Sequence, residues 1–184
     1  MESLASAFTA SVYKLTDTLS GVREEPGPEV PILTLAEFDE QVIDPDTLKT
    51  RDGKSWFIKF YAPWCGHCRK FAPDWKKFYN THKEELNIAR VDCTDESTRA
   101  ICERFDIHGF PSLLYFKDDT AYRFGKKEKR RIEQLEAFSL QEGYLQVEDD
   151  QKSKIPNYKK PDQAAHGASA EEELHKLEDS VMQI

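Results

Sequence analysis

The sequence lacks long apolar runs, is poor in cysteine and carries fewer basic than acidic residues. No apolar segment approaches the roughly 20 residues that a helix needs to cross a bilayer, so we expect no membrane span in this chain. Four cysteines in 184 residues are too few for a fold held together mainly by disulfides. The net charge of −8 argues against nucleic-acid binding, since that activity usually needs a basic face. A protein substrate fits such a chain better.

Prolines and glycines divide the chain into three parts. An N-terminal stretch with apolar residues at helical spacing ends in a cluster of Pro and Gly, so we assign an amphipathic segment and a linker to residues 1–29. Residues 30–145 are predicted to form one domain. Residues 146–184 are predicted to form a polar tail that closes with a short amphipathic segment of open role. Residues 148–170 lack hydrophobic periodicity, which predicts disorder.

The hydrophobic pattern of the central domain alternates between strands and helices. Strands are predicted at residues 32–35, 56–61, 87–92, 112–117 and 121–124. Helices are predicted at residues 36–43, 65–82, 97–105 and 130–141, and a polar loop fills residues 44–53. This alternation is typical of an α/β fold, and the adjacent last two strands add an antiparallel edge. We expect a central mixed sheet flanked by helices.

Two cysteines stand in a Cys65-Gly66-His67-Cys68 motif between a predicted buried strand and a helix. The nucleophile of disulfide exchange is a thiolate, and the free N–H groups and the dipole at a helix N-terminus stabilise an anion. Cys65 is therefore predicted to attack, and Cys68, one turn further along, to resolve. Gly66 acts as a spacer. A positively charged His67 would stabilise the Cys65 thiolate, which favours disulfide donation.

A structural zinc site built from all four cysteines is the alternative. The cysteine spacing matches no common zinc-ligand pattern. Four further histidines are scattered without ligand spacing and are interpreted as ordinary surface or loop residues; they are His82, His108, His166 and His175. We therefore expect no metal and no organic cofactor besides the redox-active pair of Cys65 and Cys68.

Three segments carry a resemblance to a known family. The segment Phe60-Tyr61-Ala62-Pro63-Trp64-Cys65-Gly66-His67-Cys68 resembles the active-site segment of protein disulfide isomerases. Val91-Asp92-Cys93-Thr94 and Gly109-Phe110-Pro111-Ser112 resemble that family further along the chain. The resemblance covers about residues 30–140 and implies a thioredoxin fold. It also implies an enzyme that forms and rearranges disulfides in cysteine-containing protein substrates during folding, as single modules of multi-module endoplasmic-reticulum proteins do.

The same resemblance implies roles for residues outside the cysteine motif. Pro111 is expected to be cis, which would place the backbone of the preceding residue beside the cysteines, where an extended substrate can pair with it. The implied substrate-binding residues are Trp64, Gly109, Phe110 and Pro111. A loop arginine of the family swings towards the resolving cysteine. Arg130 is our candidate here, and Arg131 stays open as the alternative.

One position departs from the family pattern. Many members have a buried carboxylate six residues before the first cysteine, where it accepts the proton of the resolving thiol, but this chain has Lys59 there. Burial would lower the pKa of Lys59, and a neutral amine could accept the proton of Cys68, whereas a charged one would stabilise its thiolate. The alternative is a surface lysine with its ammonium group in water.

Cys93 and Cys102 lie at the end of a predicted strand and on the next predicted helix. A structural disulfide between them and a pair of buried free thiols both fit this placement. The basic run over residues 126–131 is interpreted as a solvated turn before a helix rather than a nuclear signal or a nucleic-acid patch.

Two other functions compete with the disulfide isomerase. One is a chaperone or adaptor that binds clients around Trp64 and Pro111, and the other is a cytosolic reductase of the thioredoxin type. Neither a secretory signal nor a retention tetrapeptide at Ser180-Val181-Met182-Gln183-Ile184 is visible, so an endoplasmic-reticulum lumen location rests on the resemblance. The sequence identifies neither the clients nor the redox partner.

Overall fold

The computed structural model describes residues 29–125 and 130–157. A small hairpin of β1 (Ile43–Asp44) and β2 (Lys49–Thr50) precedes the main sheet. The main sheet contains β3 (Trp56–Tyr61), β4 (Asn87–Asp92), β5 (Ser112–Lys117), β6 (Thr120–Arg123) and β7 (Lys152–Lys154). Its strand order is β4-β3-β5-β6-β7, in which β3 and β4 are parallel and the other neighbours antiparallel. The predicted mixed α/β sheet is confirmed.

Within the described residues, four helices accompany the sheet. They are α1 (Leu35–Glu37), which continues into a π-helical turn (Phe38–Val42), α2 (Gly66–His82), α3 (Glu96–Arg104) and α4 (Ile132–Ser139). Single 3₁₀ turns lie at Arg51–Gly53, Gly143–Gln146 and Asp149–Gln151. The α2 helix runs on through Pro73. Within the described ranges, none of the helices is both long and apolar enough to cross a membrane.

The central strand β3 is buried along its whole length and separates two apolar layers. On one face, Ile58 and Phe60 pack in a cluster with the first helix and α3. On the other face, the Phe57 ring centroid lies 5.2 Å from that of Trp75 on α2 and 5.7 Å from that of Phe138 on α4. Because side chains alternate along a strand, residues 59 and 61 point to the same face as Phe57. That face carries α2 and the cysteine motif.

The predicted strand at residues 32–35 is wrong, because a helix cap takes its place. Only one isolated bridge, between Ile32 and Arg90, joins this segment to the sheet. The Thr34 hydroxyl accepts a hydrogen bond from the backbone N–H of Glu37 at 3.2 Å, and the Glu37 carboxylate accepts one from the backbone N–H of Thr34 at 2.8 Å. This capping box starts the helix at Leu35.

The polar loop predicted for residues 44–53 contains the second strand of the β1–β2 hairpin. The Asp44 carboxylate accepts hydrogen bonds from the backbone N–H groups of Asp46 at 2.9 Å and Thr47 at 3.0 Å. These bonds close the turn, and Leu48 takes a positive φ of 55° to complete it. The loop prediction is therefore wrong for residues 44 and 49–50.

The predicted disorder of residues 148–170 is wrong for the described part of that segment. Strand β7 pairs with β6, and Ile155 is buried in the core. The Arg104 side chain donates from Nε to the carbonyl oxygen of Pro156 at 3.1 Å. The ordered chain thus continues beyond residue 145. The other helix and strand bounds agree with the prediction within about two residues.

Some predictions fall on residues outside the described ranges. They concern the amphipathic N-terminal segment, residues 126–129 of the basic run, and the remainder of the tail from residue 158, which includes His166 and His175.

Candidate active site

The cysteine motif lies where the sheet meets the N-terminus of a helix, as predicted. Cys65 is the residue directly before α2, and its backbone N–H donates to the carbonyl oxygen of Ala62 at 3.1 Å. Cys65 and Cys68 are free thiols, and both pack with Tyr61 in a small buried cluster. The short turn after β3 therefore delivers Cys65 to the helix end that stabilises a thiolate.

A loop with a cis-proline faces Cys65. The peptide bond between Phe110 and Pro111 is cis, as the resemblance implied. The Cys65 thiol donates to the carbonyl oxygen of Phe110, with a distance of 3.5 Å between Sγ and O. Trp64 is 70% exposed, and its ring centroid lies 6.0 Å from that of Phe110. Three of the predicted substrate-binding residues thus surround the Cys65 sulfur.

Gly109 lies at the start of this loop and has open space around it. A Cβ atom built on it would meet nothing within 4 Å, so no close backbone approach explains the glycine. Its carbonyl oxygen accepts a hydrogen bond from the Ser112 hydroxyl at 2.7 Å. This bond bridges the cis-proline and fixes the loop next to β5.

Arg130, and not Arg131, is the arginine at the cis-proline loop. Its Nη2 donates to the carbonyl oxygen of Pro111 at 3.2 Å, whereas Arg131 is exposed directly before α4. The hydrogen bond places the Arg130 guanidinium against the loop that contacts Cys65. A direct action of Arg130 on Cys68 stays a prediction.

Lys59 is buried, with 3% of its surface exposed, so the surface-lysine alternative is wrong. Its Nζ lies 5.5 Å from the ring centroid of Tyr61 and 5.8 Å from that of Phe71 on α2. The pKa of Lys59 falls to about 7, because burial and, to a lesser extent, the Arg90 charge lower it by more than Cys68 raises it. The amine is therefore partly neutral at physiological pH.

Cys68 differs from Cys65 in its surroundings. Burial raises the pKa of Cys68 to about 12; a hydrogen bond with the Ala62 backbone lowers it, Cys65 raises it, and Lys59 lowers it. The Cys68 thiol therefore keeps its proton at neutral pH. A proton acceptor is needed before this sulfur can attack.

Gly66 and His67 form the exposed first turn of α2. A Cβ atom built on Gly66 would meet nothing within 4 Å, which is consistent with a simple spacer. The exposed position of His67 leaves its ring accessible to an incoming substrate. The electrostatic role assigned to His67 stays a prediction.

The other two cysteines form a disulfide, which decides between the two alternatives. Cys93 and Cys102 are bonded, with their Cα atoms 5.8 Å apart. The Cys93 backbone N–H donates to the carbonyl oxygen of Tyr61 at 2.9 Å. Both sulfurs belong to the core on the opposite face of the sheet from Cys65 and Cys68. This disulfide therefore braces the end of β4 without joining the reactive pair.

Sequence reasoning missed the environment of His82 and the position of Arg90. His82 is buried rather than on the surface, and its two ring nitrogens lie 3.0 Å from a Glu85 oxygen and 2.9 Å from a Glu136 oxygen. Arg90 is the register partner of Lys59 across β3 and β4. Its only sequence signal is its place in a predicted strand, and the partner becomes apparent only when the strand register is known.

Comparison with known proteins agrees with this geometry. The Thioredoxin family model matches residues 29–140. Protein disulfide-isomerase like 2-2 of Arabidopsis thaliana is 35% identical over 120 residues, which are 65% of this chain and 25% of that protein. Protein disulfide-isomerase 1 of Dictyostelium discoideum is 43% identical over 93 residues, which are 48% of this chain and 26% of that protein. The chain thus matches about a quarter of the length of these relatives.

A solved structure matches the same fold. The solution structure of the first thioredoxin domain of mouse Protein disulfide-isomerase A4 has a TM-score of 0.51 and 29% sequence identity, and the match covers 77% of this chain and 86% of that domain. The family model spans more than half of the chain. From the sheet order to the cis-proline beside the cysteine pair, this chain belongs to the thioredoxin family.

Proposed function

We propose that this module is a thiol–disulfide oxidoreductase that forms and rearranges disulfide bonds in folding proteins. The observation that carries the proposal is the free Cys65 thiol at the start of α2, 3.5 Å from the carbonyl oxygen of Phe110. The helix N-terminus favours the thiolate that exchange requires. The protein disulfide isomerases among the relatives support the same chemistry.

In the oxidising direction, a substrate thiolate attacks Cys65 Sγ of the Cys65–Cys68 disulfide. A bond forms between the substrate sulfur and Cys65, the bond between the two cysteines breaks, and Cys68 leaves as the thiolate. A second substrate thiolate then attacks the first substrate sulfur, so that a substrate disulfide forms and Cys65 leaves. The substrate loses two electrons and the cysteine pair gains them.

Isomerisation begins from the reduced pair. The Cys65 thiolate attacks a wrong disulfide of the client, which produces a mixed disulfide and a free client thiolate. Another client thiol then displaces Cys65 in a new pairing, and Cys68 releases clients that do not rearrange. We assign this chemistry to the cysteine pair alone, with no metal or organic cofactor.

The residues around Cys65 give the client a place to bind. The exposed ring of Trp64, packed edge-on to Phe110, offers an apolar contact beside the reactive sulfur. We assign to Gly109, Phe110 and Pro111 the pairing with an extended client segment. Arg130 supports this loop through its hydrogen bond to Pro111.

We place the module in the lumen of the endoplasmic reticulum or in another secretory compartment. The disulfide between Cys93 and Cys102 supports this placement, because structural disulfides persist in oxidising compartments. Protease protection of the native full-length protein in microsomes tests it. Protection that detergent abolishes is expected, and digestion in intact microsomes would argue for the cytosolic reductase.

Refolding assays test the function itself. One client protein is supplied fully reduced and, in a separate assay, with scrambled disulfides, together with the parent chain or with Cys65→Ser. We expect Cys65→Ser to abolish both oxidation and rearrangement. If Cys65→Ser restores the client as well as the parent does, and the parent itself only suppresses aggregation, the chain acts as a chaperone or adaptor. The measured redox potential of the parent separates an oxidase from a reductase.

A further inference from the structure

Two basic side chains lie behind the resolving cysteine, and no acidic side chain of the described residues acts on the buried one. Lys59 on β3 and Arg90 on β4 are partners in the parallel register. Both lie against the ring of Tyr61, with Lys59 Nζ at 5.5 Å and the Arg90 Cζ at 5.8 Å from its centroid. Tyr61 itself packs with Cys65 and Cys68. One aromatic ring therefore links both cations to the reactive cysteine cluster.

Within the described ranges, the surroundings of Lys59 offer a positive charge two aromatic rings but no carboxylate partner. The charged or titratable groups that act on it within the described ranges are Arg90 from β4 and Cys68 from α2. Its other neighbours are the rings of Tyr61 and Phe71, and Leu113 opposite it on β5. An ammonium group taken out of water without a carboxylate partner is costly, and a second cation beside it adds repulsion.

We propose that Lys59 as a neutral amine accepts the proton of Cys68 when Cys68 resolves a mixed disulfide, and that Arg90 is a positioning residue that keeps this amine neutral. The inference rests on the proposed function and deepens its proton transfer. The buried amine and the buried thiol act on each other electrostatically. Both groups lie against Tyr61 on the same face of the sheet, and proton transfer requires that they come within hydrogen-bond reach of each other or share one bridging water.

The step balances as follows in the reducing direction. The Cys68 proton moves to Lys59 Nζ, which becomes an ammonium group. The Cys68 thiolate attacks Cys65 Sγ, the Cys65–Cys68 bond forms, and the bond between Cys65 and the substrate sulfur breaks. The substrate leaves as a thiolate and takes a proton from water. The two cysteines are oxidised and the substrate disulfide is reduced.

The same pair works in reverse when the module donates its disulfide. Cys68 then leaves Cys65 as a thiolate, and the Lys59 ammonium returns the proton. The fall of the Lys59 pKa to about 7 by burial means that both forms of the amine are populated near neutral pH. One residue therefore serves both directions.

Glutathione disulfide is the probe for the test. The reduced full-length chain is mixed with it across about pH 5 to 9, quenched with acid, and analysed by mass spectrometry. Attack by Cys65 gives a chain carrying one glutathione, and resolution by Cys68 gives the oxidised chain. The decay of the glutathione adduct reports resolution alone. In the parent we expect its rate to rise with pH and level off above about pH 7.

Three variants separate a proton acceptor from a fixed charge. Lys59→Met has a similar length but no amine, and Lys59→Arg keeps a cation that does not release its proton. We expect both variants to slow resolution at least tenfold at pH 7.5, a conservative effect for a lost general base. The increase of the adduct decay rate near pH 7 should also disappear in both. Arg90→Met should move that rise to higher pH, because the repulsion is removed. Lys54→Met, at an exposed position, is the matched control.

The outcomes are distinct. A rise near pH 7 that persists in Lys59→Met shows that another group accepts the proton, and parent rates in Lys59→Arg show that charge alone suffices. Either result overturns the proposal. If Lys59→Arg fails to fold, Lys59→Met still decides whether Lys59 accepts the proton. If the pH dependence of adduct decay in Arg90→Met equals that of the parent, the role assigned to Arg90 is overturned. A parent chain that forms no glutathione adduct would instead contradict the proposed function.

Discussion

Arg130 hydrogen-bonds the carbonyl oxygen of Pro111, with Nη2 and O 3.2 Å apart, and so ties the segment before α4 to the loop that faces Cys65. A bond of this kind, from a charged donor, contributes about 1.5–3 kcal/mol when intact. Loss of this bond should increase the mobility of the cis-proline loop and have little effect on the stability of the whole domain.

We therefore expect Arg130→Met to reduce disulfide exchange with a client about threefold to tenfold, since tenfold corresponds to about 1.4 kcal/mol. Arg131→Met changes an exposed neighbour and should leave the rate within about twofold, because surface substitutions have small effects. The measurement is the rate of client reduction by the chain under saturating and limiting client. Equal effects of both substitutions would show that the Pro111 contact is not what matters.

Burial of Lys59 makes the stability of the domain depend on pH. Its pKa is about 7 in the fold against an ordinary value of 10.5 for a lysine. The unfolded chain therefore binds more protons than the folded one between about pH 7 and 10.5. The free energy of unfolding therefore rises with pH across this interval, by at most roughly 4–5 kcal/mol at 1.36 kcal/mol per pKa unit. Below about pH 7 the full cost of burying the amine applies.

Lys59→Met removes this cost, so we expect its gain in stability over the parent to be largest near pH 6 and to shrink towards pH 10. Urea unfolding at about pH 6, 8 and 10 measures the difference. Lys54→Met removes a charge from the surface and should show no such trend. A gain for Lys59→Met that stays constant with pH would contradict the pKa assignment.

The Cys93–Cys102 disulfide closes a short loop, because the two cysteines have a sequence separation of nine. For a loop of about this length the chain-entropy relation gives roughly 2.5–3 kcal/mol of stabilisation. We expect Cys93→Ala/Cys102→Ala to lose about that much in denaturant unfolding and to keep its exchange activity, because the bond lies away from Cys65. Loss of exchange in a folded variant would place this disulfide in the reaction.

Arg104 fastens the last described strand to the domain. Its side chain is 3% exposed, its Nη1 lies 3.6 Å from an Asp39 carboxylate oxygen, and its Nε donates to Pro156. Breaking a largely buried ion pair leaves a carboxylate without its partner, which costs about 3–5 kcal/mol. We expect Arg104→Met to destabilise the domain within this range.

Hydrogen exchange of the β7 amides should also accelerate in Arg104→Met, since the bond to Pro156 is lost. Arg99→Met, on the exposed side of the same helix, is the control and should change neither property. Unaltered protection of β7 in Arg104→Met would show that the pairing with β6 suffices to hold the strand.

Local patterns predicted the reactive part of this molecule well. The bounds of β3, β4 and β5 match the expected ones. β3 and β5 are compact apolar runs, β4 has buried apolar residues among polar ones, and Cys65 lies at the expected helix start. The β1–β2 hairpin was missed because its strands have two residues each, too short for a periodicity. β7 was missed because Lys152, Ser153 and Lys154 are polar and show no hydrophobic pattern, although they pair with β6.

The register of distant strands is what sequence patterns could not supply. Lys59 was identified as unusual because it stands six residues before Cys65, where many family members have a carboxylate. Its burial, however, depends on β4, β5 and α2 packing around it. Arg90 became its neighbour only through a crossover that includes the whole of α2. The cis-proline loop was predicted correctly from family resemblance, since Gly-x-Pro alone indicates no more than a turn.

The short final strand β7 covers an edge of the main sheet that would otherwise be open. Without β7, the backbone of β6 would form an open edge, on which extended polypeptides readily add as further strands. β7 occupies that edge with three residues, two of them lysines, and Lys154 is held by Asp119 at 2.7 Å. At the opposite edge, β4 is partly covered by the bridge from Ile32. In the function proposed above, the two covered edges would limit aggregation between this module and its unfolded clients.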